Sequence, residues 1–515
     1  MMILAKSKSP VAGAILLIAL FGLAITPSMS VPVVAQVSGP APLNVDSNNP
    51  GDNSAASSQP STQSSTQPSE ITVDTSFDCA TPVDAVVDSP NHVTITLQLF
   101  TQDSWLFRIN GVAGKTVTIE MHPRPSPRAT LKNWKTLTPV YCEAPDLDDP
   151  ATFATGPLKV NTALNGQGIA IPATDEQKWH YVQSCSLQPN ATTFTLTQAF
   201  TADSAFIAER IPYPPAYAAK FIDGLATNPL VKIIDLGQTP ENRPLRFVQI
   251  GPTDDASQKT KPCIIIAAGE QAYQPDGMWA CQGCIEFLLG DSEQAKALRN
   301  QYVFLIMPML DPDGTADCTP NFINSFRVDV NNPVSVAYAN WLQSRLLAGG
   351  RIDLVLELHS LQSGESRHLQ RVAQKGIPRD RVQLIDAFQR IITRQFAISR
   401  LNVSSKNMNG GQHSSTRFSG WISEHLGAMD IIYEVNAQAP GRHLSLSQLK
   451  DVGRDFALAV DEFFQSEDGP RLLASVDKAR AAHQTAWNGN PATNPSQDAI
   501  ESEDAIAPPD TAAPQ

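Results

Sequence analysis

Positive charge is scarce along this chain of 515 residues. Not one Lys or Arg occurs between Ser9 and Phe107, and none occurs after Arg480. Overall, 38 basic residues face 51 acidic ones, a net charge of −13. That balance excludes a nucleic-acid partner held by bulk electrostatics. Cysteine is also sparse: seven thiols spread over the chain do not make a disulfide framework. Aromatic residues are only 7% and charged residues 17%, while 42% are hydrophobic and 40 are proline. Such a composition carries a sizeable core interrupted by loop-rich stretches. At about 150 residues per domain, the length suits two or three domains.

Long apolar runs are nearly absent too, with one exception at the start. Val11 to Ile25 is an unbroken stretch of apolar residues and glycine, preceded by Lys6 and Lys8. It is shorter than the roughly 20 residues needed to cross a bilayer. With the small residues Val33-Val34-Ala35 before Gln36, and Ser28-Met29-Ser30 as a second cleavage candidate, residues 1–35 read as a secretory signal peptide. The expectation is an exported protein, in periplasm, medium or cell envelope, touching a membrane only if the segment stays uncleaved. Residues 36–71 come next as a linker: 36–70 hold nine Ser, five Pro, four Gln and four Asn and no aromatic residue. A segment of that kind cannot bury enough surface to offset its chain entropy. The other end, 468–515, reads as helical and then as a disordered acidic tail.

Between these ends lie two folded blocks. In 72–205, His92 to Phe100 alternates Val93, Ile95, Leu97 and Leu99 with polar residues, and Ser104 to Asn110, Lys115 to Met121, His180 to Val182 and Thr192 to Leu196 read as further short strands. Their Gly, Pro and Asn punctuation predicts an antiparallel β-sandwich, with Trp105 and Trp179 in its core. In 206–467 the pattern changes to strands alternating with helices. Cys263 to Ala268, Val303 to Leu310, Leu354 to His359 and Met429 to Val435 read as strands. Met278 to Leu289, Val336 to Leu347, Asp380 to Phe396 and Gln448 to Phe464 read as helices. The fold class expected is α/β: a mixed sheet between helix layers, an α/β/α domain preceded by the sandwich. Sites in such folds lie beyond the carboxyl ends of the strands, so the residues there carry the information.

Those strand ends are Gly269-Glu270-Gln271-Ala272-Tyr273-Gln274 with Trp279 beyond, Pro308-Met309-Leu310-Asp311-Pro312-Asp313-Gly314, Asp329-Val330-Asn331-Asn332, Glu357-Leu358-His359-Ser360, and Tyr433-Glu434-Val435. Their order and spacing resemble the zinc carboxypeptidases of the M14 family. The sandwich, with Ser104-Trp105-Leu106-Phe107-Arg108-Ile109, resembles the amino-terminal domain of that family's cytosolic-carboxypeptidase subgroup. The resemblance runs from about residue 90 to 465. It implies a zinc cofactor, a peptide or protein C-terminus as substrate, and removal of C-terminal residues. It places zinc ligands at Gln271, Gln274 and His359, the catalytic glutamate at Glu434, and substrate-carboxylate contacts at Asn331 and Asn332.

Two of those positions carry the wrong chemistry for the family's reaction. Zinc favours imidazole, thiolate or anionic carboxylate, whereas Gln271 and Gln274 offer neutral amides. Without the ion, nothing lowers the pKa of the attacking water from 15.7 to about 7. Asn332 stands where the family has an arginine, so the bidentate grip on a terminal carboxylate is missing. Arg417 is the best remaining candidate for an anion contact. Glu270, next to Gln271, is expected to point away, because neighbours on a strand alternate. His359, Glu365 and His368 are a further metal-site candidate. Cys281 and Cys284 read as packing or a disulfide, His413 and His425 as surface residues, and Asp313 as a turn-former.

Three functions are compatible with this pattern. The chain is expected to be a pseudo-peptidase that binds peptide or cell-envelope material in the former cleft. The alternatives are an active metallocarboxypeptidase with an unusual site, favoured by the retained His359 and Glu434, and a structural envelope protein.

Overall fold

The computed structural model describes residues 70–98, 104–124, 131–144, 146–154, 178–272, 274–318, 332–361, 368–372, 378–399, 401, 405–409, 417–439 and 442–489. All of them fall in one compact unit, Thr66–Gln515. The signal segment, linker residues 36–69, Asn331, Glu365, His413 and the acidic tail beyond residue 489 lie outside the described residues, whereas Ile71, read as the end of the linker, is buried in the core of the amino-terminal sheets.

The amino-terminal part holds ten short strands: β1 (Thr72–Asp74), β2 (Val83–Ser89), β3 (His92–Leu97), β4 (Leu106–Asn110), β5 (Thr116–His122), β6 (Val140–Cys142), β7 (Trp179–Tyr181), β8 (Ser184–Leu187), β9 (Phe194–Ala199) and β10 (Ser204–Ala208). They form two five-stranded sheets, β1-β4-β10-β6-β7 and β2-β3-β5-β9-β8. The alternation read in the sequence is what buries them: Val93, Ile95, Val117 and Ile119 of one sheet meet Phe107 and Ile109 of the other. Pairing is antiparallel throughout except between β3 and β5, which run parallel. Trp105 joins this core, whereas Trp179 is buried in the larger core it shares with the second part of the molecule.

That second part is built on an eight-stranded mixed sheet. Its strands are β11 (Val231–Gln238), β12 (Pro244–Ile250), β13 (Cys263–Ala268), β14 (Val303–Met307), β15 (Leu354–Ser360), β16 (His368–Val372), β17 (Ser405–Asn409) and β18 (Met429–Val435), in the order β11-β12-β14-β13-β15-β18-β16-β17. The four central strands, β14-β13-β15-β18, are mutually parallel. Parallel strands covered on both faces have no polar side, which explains the continuous apolar run of Cys263 to Ala268. Ile264, Ile266 and Ala268 enter one core and Cys263, Ile265 and Ala267 the other.

The helices that matter for the site are α1 (Pro215–Leu225), α2 (Asp255–Thr260), α3 (Pro275–Leu288), α4 (Glu293–Gln301), α5 (Pro312–Ala316), α6 (Pro333–Leu347), α7 (Arg379–Ile398), α8 (Phe418–Leu426), α9 (Leu446–Gln465) and α10 (Asp468–Gly489). On one face, α3, α7 and α9 pack through Trp279, Ile285, Phe388, Ile392, Phe456 and Val460. On the other, α6 and α8 pack through Tyr338, Leu342, Phe418 and Ile422. Helix α3 crosses α9 at backbone contact. A Cβ on Gly453 would stand 1.8 Å from the Ala280 carbonyl oxygen, and one on Gly283 would stand 2.0 Å from that of Lys450. Cys281 and Cys284 sit in this layer as buried free thiols, not as a disulfide. Burial pushes both thiols up, Cys281 with added repulsion from Cys284.

Helix α3 begins at Pro275, three residues before the Met278 start expected from the sequence, with proline in its first turn. That brings its amino terminus directly under the ends of β15 and β18. The Asp276 amide donates to Ser360 Oγ (2.8 Å), and Asp276 Oδ2 accepts from the Ala437 amide (3.1 Å) and from Arg210. The loop carrying residues 270–274 is thereby tied to two strand ends and to Arg210.

Candidate active site

His359 and Glu434 are register partners on the adjacent parallel strands β15 and β18, and both are buried. Glu434 is also the register partner of Leu369 on β16. The β13–α3 loop brings Gln271 and Gln274 to the same place. Their Oε1 atoms lie 3.2 and 3.0 Å from His359 Nδ1. Gln274 Oε1 also accepts the Ser360 amide at 3.0 Å. An amide N–H can only donate, so this atom is an acceptor, and the His359 hydrogen bond to it requires Nδ1–H.

The other ring nitrogen faces charge. His359 Nε2 is 2.9 Å from Glu357 Oε1 and 3.9 Å from Glu270 Oε2. The Phe418 amide donates to Glu270 Oε1 and the Ser419 amide to Glu357 Oε2, each at 3.0 Å. These donors are the first residues of α8, whose amino terminus favours negative charge. Arg417 Nη1 adds a cation 3.6 Å from Glu270 Oε2. Each carboxylate therefore has one oxygen anchored by backbone and one turned toward His359. Glu270 is 2% exposed, Glu357 0% and His359 2%. Burial, then the charge of Glu357, raises the Glu270 carboxyl well above its usual range. Burial also opposes ionisation of Glu357, but the hydrogen bond and charge of His359 outweigh it and hold that carboxyl low.

Glu270 corrects an expectation drawn from strand alternation. Strand β13 ends at Ala268, and Gly269 then takes φ +78°, which breaks the alternation and turns Glu270 into the cluster. Glu357 was not singled out in the sequence, although a signal existed. It is the one ionisable residue besides the histidine in Leu354 to His359, two positions before His359 and so on the same side of the strand. Asn332 is placed as the cap of α6, its side chain accepting from the Val334 and Ser335 amides at 3.1 Å each. Arg417, read as an anion contact, faces the internal carboxylate of Glu270. Asp313 is buried and accepts from Thr239 Oγ1 (2.6 Å) and Arg243 Nη1 (2.8 Å). His425 is exposed on α8, its Nδ1 3.0 Å from the Trp421 carbonyl. His368 lies on β16, between β18 and the edge strand β17.

Comparison with known proteins agrees with this architecture. Residues 219–320 match the zinc carboxypeptidase (peptidase M14) family model. Mouse cytosolic carboxypeptidase 3 is 26% identical over 129 residues, 24% of this chain and 13% of its own length. Zebrafish cytosolic carboxypeptidase 1 is 29% identical over 133 residues, 24% of this chain and 12% of its own. The matches thus span about an eighth of these relatives' length. The fold resembles a metallo-carboxypeptidase from Burkholderia cenocepacia, with TM-score 0.59 and 15% identity over 77% of this chain and 99% of that one. A metallo-carboxypeptidase from Pseudomonas aeruginosa, solved with (2-guanidinoethylmercapto)succinic acid, is alike at TM-score 0.56 and 13% identity, over 76% and 100% of the two chains. Residues 219–320 are thus similar in sequence to the M14 zinc carboxypeptidases, those of the cytosolic-carboxypeptidase group among them, and the chain has a carboxypeptidase-like fold preceded by a sheet-rich amino-terminal part.

The family's zinc does not fit the donor set at 271, 274 and 359. Two of the three groups are neutral amides, and Gln274 Oε1 is already committed to Ser360 and His359.

Proposed function

We propose that this chain is an exported M14-fold protein that binds peptide or envelope material in the cleft at the ends of β13, β15 and β18, with peptidase activity reduced or lost. The observation that carries the reading is the use made of Gln274. Where the family's chemistry needs an anionic metal ligand, this side chain is a neutral hydrogen-bond clamp holding Ser360 and His359. Asn332 supports it, since a helix-capping amide supplies no bidentate contact for a terminal carboxylate.

The test is hydrolysis of C-terminal residues from a peptide library by the purified protein, beside the double variant Gln271→His with Gln274→Glu. The expected result is no hydrolysis by the natural sequence and tight zinc binding by the variant, because His359 is already in place. Trimming of peptides by the natural sequence that disappears in Glu434→Gln would overturn the reading. That outcome would favour the second reading, an active carboxypeptidase with a rearranged metal site. Its support is the group of Glu270, Glu357 and His359, with Glu434 in register beside His359.

A further inference from the structure

We infer that the protein holds a divalent transition-metal ion in a relocated site made by Glu270, Glu357 and His359 Nε2, with Gln271 and Gln274 turned from ligands into outer groups that orient the histidine. The inference rests on the family reading of these positions but not on loss of peptidase activity.

Four features of the geometry point there. The three donor atoms lie within 4.8 Å of one another, all in buried residues. Tetrahedral bonds of about 2.0–2.1 Å place neighbouring donors about 3.3–3.4 Å apart. The observed separations from Nε2, 2.9 Å to Glu357 and 3.9 Å to Glu270, straddle that value, each within about half an ångström of it. Second, the carboxylates are held as ligands are. Each is anchored by one backbone amide from the start of α8 and presents its other oxygen to Nε2.

Third, the histidine is set for Nε2 ligation. Metal-bound imidazoles donate their other ring N–H to a carbonyl or carboxylate. Here Nδ1–H is directed at Gln274 Oε1, itself fixed by the Ser360 amide, so Nε2 is the ring nitrogen turned to the carboxylates, and an ion bound there would displace the proton that Nε2 shares with Glu357. Fourth, the two carboxyl groups supply the −2 charge that matches the ion once it displaces the protons of the cluster. The amides on the Nδ1 side do not. Ser419 adds a hydroxyl, fully buried and without a hydrogen-bond partner, on the residue whose amide anchors Glu357.

Zinc is the probe, with cobalt(II) as its spectroscopic stand-in. The full chain is stripped with chelator, incubated with equimolar Zn2+, dialysed and analysed for metal. The expected result is about one zinc per chain, with at least a tenfold loss of affinity in Glu357→Gln and in Glu270→Gln. Cobalt absorption in the visible range should show a four-coordinate nitrogen/oxygen site with no sulfur band. The two variants are close in shape to the natural residues, and their circular dichroism and melting curves report whether they fold. If the folded natural protein takes up no zinc, the inference is overturned without recourse to a variant. It is equally overturned if zinc binds but survives Glu357→Gln and is lost in Gln271→Ala with Gln274→Ala. The metal measurement and the peptide assay fail independently, so an inert protein with bound zinc keeps both conclusions, and an active one without zinc loses both.

Discussion

One backbone angle decides which carboxylate reaches His359. Read as a strand, residues 263–271 would put Gln271 on one face and Glu270 on the other. The strand stops at Ala268, and Gly269 at φ +78° re-aims the loop that carries Glu270. Nothing in a single sequence distinguishes a glycine that merely ends a strand from one held in the left-handed region. The positions of His359 and of the two glutamines were therefore legible as strand-end chemistry, while the role of Glu270 was not. Glu357 was legible in principle, as a charge inside an apolar strand, but alternation becomes informative only once its neighbour His359 is known to face the site. Alanine at 269 would take an unfavourable backbone conformation, and its Cβ would stand 2.9 Å from Met278 Cε and 3.2 Å from the Leu310 nitrogen. Gly269→Ala should lower stability by about 1–3 kcal/mol and loosen Glu270 from its Phe418 amide. Urea unfolding checks the first effect and zinc affinity the second, which should fall while far-UV dichroism is unchanged.

At the scale of elements, hydrophobic period located most of the α/β layers. Helix α7 buries Leu384, Ile385, Phe388, Ile391 and Ile392, the face its 3.6-residue periodicity marks. Strands β13 and β18 have the bounds their apolar runs suggest. What period does not encode is how closely two helices approach, and the Gly283 and Gly453 contacts that set the α3–α9 crossing have no signature in one sequence. Nor does it encode buried charge at such a seam. Asp455 lies on α9 with no exposure, accepting from Ser399 Oγ at 2.7 Å and paired with Arg454 at 3.0 Å. Burial nevertheless raises its carboxyl to about 6. The folded state therefore holds this proton more tightly than the unfolded chain does. The resulting stabilisation is present in full below the ordinary Asp range and is lost as pH rises through about 6. A shift of this size corresponds to about 2–3 kcal/mol. Asp455→Asn should remove that pH dependence between about 4 and 6 and leave the acid-side stability near that of the natural protein. Denaturant midpoints measured across that pH range, natural protein against variant, give the test; parallel curves would refute it.

Across the whole molecule, the sandwich is joined to the α/β part by polar groups that end near the site. Tyr181 Oη donates to the Leu444 carbonyl at 2.8 Å, and the Thr138 amide donates to Gln438 Oε1 at 3.1 Å. The deepest link is Arg210, just after β10 and 3% exposed, which reaches both Asp276 and the Leu361 carbonyl. Asp276 is itself buried. Burial raises its carboxyl, against the opposing charge of Arg210 and the Ala437 amide. Sequence order gave no sign that Arg210 would brace the start of α3, because the partners lie 66 and 151 positions away. Removing one member of a buried pair leaves an uncompensated charge, a loss of about 3–5 kcal/mol. Arg210→Met should therefore destabilise the fold strongly at neutral pH. Asp276 also donates its amide to Ser360, beside the Gln274 clamp, so the damage should spread to the site as weaker zinc retention. The double variant Arg210→Met with Asp276→Asn separates charge from packing: it should regain part of the lost stability, because the stranded carboxylate is gone. Chemical denaturation of the three variants decides the matter. Equal losses in Arg210→Met and in the double variant would mean that the guanidinium acts through its contact with the Leu361 carbonyl and not through the ion pair.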